Sequence, residues 1–124
     1  MSERMRRVNE ALRAVVSAAV GELKDPRIGF VTVMEVRTSP DLAQATVFVS
    51  VLGSTRTRER TLEALTASRG VLQGRINREL HLKRTPRLVF EYDRSVERAA
   101  RLTRLLDELN HRRDQGDRRS DQDE

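Results

Sequence analysis

Apolar residues recur early in the chain at Met5, Val8, Leu12, Val15, Val16, Ala19 and Leu23. That is the spacing of one helix face, so residues 3–24 are predicted to form an amphipathic helix. Asp25-Pro26 ends it, because proline disfavours helical geometry in the residue before it. The period then changes to two. Residues 29–37 alternate with Phe30, Met34 and Val36 on one parity and Val31 and Val33 on the other. Residues 43–52 place Ala45, Val47, Val49 and Val51 on one face, and Gln44, Thr46, Phe48 and Ser50 on the opposite one. Thr38-Ser39-Pro40-Asp41 between them is turn chemistry, which predicts an antiparallel hairpin.

Gly53-Ser54-Thr55 closes the hairpin and offers an N-cap to a helix over 56–67, with Leu62 and Leu65 inward. After a joint at Ser68-Arg69-Gly70, a second helical stretch carries Leu72, Ile76 and Leu80. Pro86 opens a third strand, in which Leu88, Phe90 and Tyr92 alternate with Val89 and Glu91. Asp93 or Ser95 is expected to cap a last helix with the stripe Ala99, Leu102, Leu105, Leu106 and Leu109, packed on the domain's own sheet or central helices. Beyond Asn110 there is no apolar residue, so 111–124 is expected to be a disordered charged tail behind a domain over 1–110.

The order α-β-β-α-α-β followed by a C-terminal helix predicts an α+β sandwich with helices on one sheet face. A sheet fed by a helix–joint–helix unit is also the arrangement of KH-type RNA-binding modules, which clamp backbone nucleotides at a GxxG loop. No GxxG is present, since Gly70 and Gly74 are four apart.

Charge changes the picture next. The chain of 124 residues is one domain's length and carries a net +5. Between Arg69 and Arg87 six cations (Arg69, Arg75, Arg78, Lys83, Arg84, Arg87) face a single acid, Glu79. Such density points to a polyanion partner. Arg6 and Arg13, beside the apolar face of the first helix, make a second basic strip. With 22 Arg against two Lys, arginine is used everywhere. Arg56, Arg58, Arg60, Arg94, Arg98, Arg101 and Arg104 are read as solvated or paired with Glu59, Glu63, Glu97 and Glu108. Asp25-Pro26-Arg27 is read as a structural turn, and Gly70 as a backbone requirement.

Catalysis finds no support. His81 and His111 stand apart, and no metal-ligand spacing, phosphate-cradling glycine loop or nucleophile–base pair is present. No cofactor is expected. Phe30, Phe48, Phe90 and Tyr92 are expected mostly in the core, with Phe48 partly exposed, so contact through phosphates is favoured over an open stacking platform. Cysteine is absent, and no apolar run is long enough for a signal peptide or a membrane span, so a cytoplasmic monomer is expected. A sequence-nonspecific nucleoid-type protein and a protein adaptor using the leucine stripe of 99–109 are the alternatives.

Three runs carry a family likeness: Leu23-Lys24-Asp25-Pro26-Arg27, the hairpin from Val36 to Gly53, and Leu82-Lys83-Arg84-Thr85-Pro86-Arg87-Leu88-Val89-Phe90-Glu91-Tyr92-Asp93. Together they resemble the bacterial ribosome-binding factor A family over residues 4–110. The resemblance implies a type II KH-like fold in which an Ala-x-Gly kink replaces the GxxG loop. It implies a non-enzymatic factor that binds the free small (30S) ribosomal subunit and its 16S rRNA. Late maturation and rRNA processing are the implied role, with a part in cold adaptation and other assembly factors as further partners. The kink here is Ser68-Arg69-Gly70, with serine for alanine. Gln73 stands where the family commonly has a basic residue, leaving Arg75 and Arg78 as candidates to replace it. The expected RNA-binding set is Arg6, Arg13, Ser68, Arg69, Gly70, Arg75, Arg78, Lys83, Arg84 and Arg87.

Overall fold

A serine hydroxyl starts the first helix. Ser2 Oγ accepts from the Met5 N–H at 3.1 Å and caps α1 (Glu3–Glu22) in the computed structural model, which describes residues 2–122. The periodic stripe becomes its buried face, with Leu12 and Val16 wholly inaccessible. The hairpin follows as β1 (Val31–Thr38) and β2 (Gln44–Val51), paired antiparallel. Next come α2 (Thr55–Ala67), α3 (Arg69–Glu79), β3 (Arg87–Tyr92) and α4 (Ser95–Gln122).

The sheet order is β1-β2-β3, and β3 runs parallel to β2. A parallel neighbour needs a long crossover, and α2 with α3 supplies it. α1 packs on β1 and α3, and α2 on β3. Leu65, Leu72, Ile76, Val47, Val49 and Leu88 meet there with no exposed surface. The buried hydroxyl of Thr61 ties the loop after α1 to α2, accepting from Gly29 N–H at 3.2 Å and donating to the Arg27 carbonyl at 3.3 Å.

The alternation expected for β1 is interrupted. A bulge lies between Val33 and Glu35, so Met34 has no partner on β2. One extra residue lets Val33 and Val36 both point into the core although they differ in parity. Phe30 and Met34, expected to share a face with Val36, are 83% and 42% exposed. Of the four aromatics only Phe90 is buried; Phe48 and Tyr92 are half-buried. The expectation that most of them form core is thus corrected.

The hairpin turn is closed by Asp41, whose carboxylate accepts from Ser39 Oγ at 2.7 Å and Ala43 N–H at 3.1 Å. These bonds, the hydroxyl first, hold its pKa below the ordinary aspartate value.

The chain divides into two units at Asp93/Arg94. Within the second, α4 continues through Asn110 to Gln122, where disorder is expected from 111 onward. Residues 111–122 lack proline, so no residue there forbids the helical backbone. Leu102, Leu105, Leu106 and Leu109 all fall within α4. Asp123 and Glu124 lie outside the described residues. A helical end without an apolar residue has little to hold it in water. Truncation after Asn110 is therefore expected to leave the melting temperature of the chain unchanged, measured by circular dichroism.

Candidate nucleic-acid interface

The joint between α2 and α3 is a single residue. Ser68 adopts φ −89° and ψ 4°, and its N–H bonds to the Ala64 and Leu65 carbonyls at 3.0 and 3.1 Å. Gly70 lies inside the first turn of α3. Its φ is not in the left-handed region, and a Cβ at Gly70 or Gly74 would meet nothing within 4 Å. The backbone requirement expected of Gly70 is therefore absent. Its effect is to leave the helix surface bare, in line with Gly74 and Arg78 one and two turns on.

Two side chains near the joint are turned inward. β3 is an edge strand whose Leu88 backbone faces away from β2. Arg69 Nε donates to the Leu88 carbonyl at 2.7 Å, and Gln73 Oε1 accepts from the Leu88 N–H at 3.4 Å. The first turns of α3 thus cap the open edge, whose groups otherwise seek another strand. Gln73 has a structural task where a basic residue was expected, and Arg69 is half-buried in the same task.

Arg75 is committed too. Its guanidinium bonds Glu22 of α1 and Glu79 of α3, both at 2.6 Å, and its side chain is 26% exposed. Glu22, then Glu79, hold the guanidinium protonated beyond its ordinary range, and Arg75 in turn lowers the pKa of Glu22. Arg75 is a clasp between α1 and α3, with its charge already answered.

What remains outward is the C-terminal end of this segment. Arg78 stands on the last turn of α3, Lys83 and Arg84 on the connection to β3, and Arg87 at the first position of β3. All four are exposed and form no ion pair among the described residues. The Arg87 N–H bonds to the Ala43 carbonyl at 2.9 Å, which places this end beside the hairpin turn, and Arg84 contributes weakly to the lowered pKa of Asp41. Four cations on one connected stretch make a compact positive surface.

Arg6 and Arg13 do not join it. They pair with Glu3 at 2.6 Å and Glu10 at 3.1 Å. Nine residues separate Arg13 from Glu22, about 180° around a helix at ~100° per residue. Since Glu22 faces α3, both arginines lie on the opposite flank of α1.

Asp25-Pro26-Arg27 is closed on itself. Asp25 accepts from the Arg27 N–H at 2.9 Å and from its guanidinium at 2.7 Å, and the guanidinium bond dominates the lowering of the Asp25 pKa. This matches the structural reading of the turn.

At the far end of the sheet, the alternation pattern gave no warning of exposed Phe30, nor of Arg58 lying 3.7 Å over the Tyr92 ring. The one usable signal was the three-residue step from Val33 to Val36, which a regular strand does not bury. Among the described residues no group of three or more His, Cys, Asp or Glu could hold a metal ion, and no helix is long and apolar enough to cross a membrane.

An α-β-β-α-α-β order with a one-residue helix–helix joint, where KH modules carry a GxxG loop, defines a KH-like (type II) α+β fold followed by a C-terminal helix. Residues 4–106 match the model of the ribosome-binding factor A family, and the chain belongs to that family. It is 41% identical over 110 residues to ribosome-binding factor A of Geobacter metallireducens, covering 88% of this chain and 93% of that protein. The crystal structure of ribosome-binding factor A from Thermus thermophilus matches with a TM-score of 0.68 and 27% identity, covering 73% of this chain and 97% of that one. A homology model of the Thermus thermophilus factor, fitted into a cryo-EM map of a 30S complex, matches with a TM-score of 0.59 and 29% identity, covering 69% and 91%.

Proposed function

We propose that this chain is a cytoplasmic, monomeric, non-enzymatic assembly factor. It binds the free small (30S) ribosomal subunit through 16S rRNA and promotes late maturation and rRNA processing, with a part in cold adaptation. Family membership supports the class, and the relative fitted into a 30S complex supports the partner. The observation that carries the mode of binding is the set Arg78, Lys83, Arg84 and Arg87, exposed and without an ion pair among the described residues. Phosphates are the groups such a surface recognises, and the bare α3 surface at Gly70 and Gly74 lets a nucleic-acid backbone come close. The factor acts by differential binding: it favours one rRNA arrangement and leaves when mature contacts compete.

Gly70→Ala separates the two uses of that surface. It is expected to raise stability by about 0.5–1 kcal/mol, because alanine suits a helix better and meets no clash here. It is expected at the same time to weaken binding of structured rRNA, as the added methyl stands in the approach. Denaturant unfolding beside a binding titration reads both.

Loss of the gene is expected to leave unprocessed 16S precursor, most in the cold. The parent chain should restore processing and R78A/R84A/R87A should not; restoration by that variant would remove the basic surface from the role. Duplex DNA competing as well as rRNA would favour the nonspecific nucleic-acid-binding alternative.

A further inference from the structure

Among the described residues, Leu42 is the one non-glycine residue with a positive φ, 60°. There a leucine's Cβ crowds the carbonyl that follows, and glycine or asparagine is the residue expected. The position ends the turn between β1 and β2, where the Leu42 N–H bonds to the Ser39 carbonyl at 2.9 Å. The turn needs this backbone conformation; it does not need this side chain. Neither does the core. Leu42 is half-buried, yet among the described residues it is not one of the partly buried apolar side chains packed on the core cluster. Backbone strain of this kind points to a task outside the fold.

The turn stands beside the basic surface, since the carbonyl of the next residue, Ala43, accepts from the Arg87 N–H at 2.9 Å. We propose that Leu42 is an apolar wedge that meets the face of an unpaired base in rRNA, while Arg84 and Arg87 hold the neighbouring phosphates. That role rests on the phosphate-binding surface proposed above and adds the kind of RNA it meets. The chemistry of the tip decides the occupant. Asp41 puts a carboxylate one residue from Leu42, closed by Ser39 Oγ and the Ala43 N–H, so the tip itself does not attract phosphate. A base face carries no net charge and packs on an apolar side chain. Leucine is among the residues that wedge between base steps where cations hold the backbone. A continuous helix turns its phosphates outward and leaves Leu42 nothing to touch. An RNA with an unpaired nucleotide beside a helix satisfies both the cations and the tip.

Leu42→Asn and Leu42→Gly both suit a φ of 60°. Each is expected to hold or raise the melting temperature, read by circular dichroism. Binding is measured on a hairpin RNA with an unpaired bulge and on the same hairpin fully paired. The parent chain is expected to prefer the bulged hairpin about tenfold, the order of effect that burying one leucine side chain produces. Both variants should lose that preference and keep the parent's affinity for the paired hairpin. The salt slope on the bulged hairpin should not change, because no phosphate contact is removed. Leu42→Met keeps an apolar side chain and should keep the preference. R78A/R84A/R87A should weaken both hairpins alike, so failure of the basic surface and failure of the wedge give different patterns. Equal affinity of the parent for the two hairpins overturns the proposal, as does a bulge preference that survives in Leu42→Asn. A lower melting temperature in both variants also overturns it and makes Leu42 a packing residue. So does weaker binding of Leu42→Asn to small subunits with no loss on the bulged RNA, which would assign Leu42 to a protein contact.

Discussion

Alanine at Arg78, Arg84 and Arg87 together is expected to weaken binding to structured 16S rRNA roughly a hundredfold, at about 1 kcal/mol for each phosphate contact. The melting temperature is expected to stay where it is. These side chains are exposed and hold nothing else in the fold. The slope of log affinity against log salt should fall by about three, one for each lost contact. Arg75→Ala makes the contrast. Removing it opens the link to Glu22 and Glu79, so stability should fall while the salt slope stays nearly unchanged. Binding titrations at several salt concentrations, with thermal melts on the same preparations, separate the two classes of arginine. A drop in slope with Arg75→Ala as large as with Arg78→Ala would mean that the clasp opens when RNA binds.

Leu72→Ala is expected to cost about 2–5 kcal/mol. Leu72 has no exposed surface, and it sits on α3 between the two residues that cap the edge of β3, Arg69 and Gln73. The cavity loosens α3 against the core, and both edge contacts depend on where α3 lies. Small domains have only about 5–15 kcal/mol in total. At roughly 4–8 °C per kcal/mol for a domain of 60–100 residues, a 3 kcal/mol loss lowers the melting temperature by about 12–24 °C. Circular dichroism melts measure this directly. Binding at low temperature should weaken only in proportion to the fraction unfolded.

The elements were readable because each depends on local spacing. The α1 stripe, the Ser39–Asp41 turn and the Leu72–Ile76 face follow from residues within a few positions of one another. What escaped depends on pairs far apart in the chain. Arg75 looked like a free cation because its partner Glu22 is 53 residues away. Arg69 and Gln73 could not be assigned to the β3 edge until that strand's place beside β2 was known. Phe30 was misplaced by a bulge that shifts parity by one, which regular alternation cannot register. Gly70 was credited with a backbone role that only its φ could test. The candidate interface was accordingly legible as a segment, 69–87, but not as a surface: the structure leaves its C-terminal end outward and commits much of its N-terminal end to the fold.

Co-sedimentation with purified small subunits, large subunits and joined ribosomes, at two salt concentrations and with duplex DNA as competitor, is the decisive experiment. Retention is expected on free small subunits alone, weakened by salt and by R78A/R84A/R87A but not by DNA. Equal binding to every particle, abolished by DNA, would contradict it and leave Arg78, Lys83, Arg84 and Arg87 as a general polyanion surface.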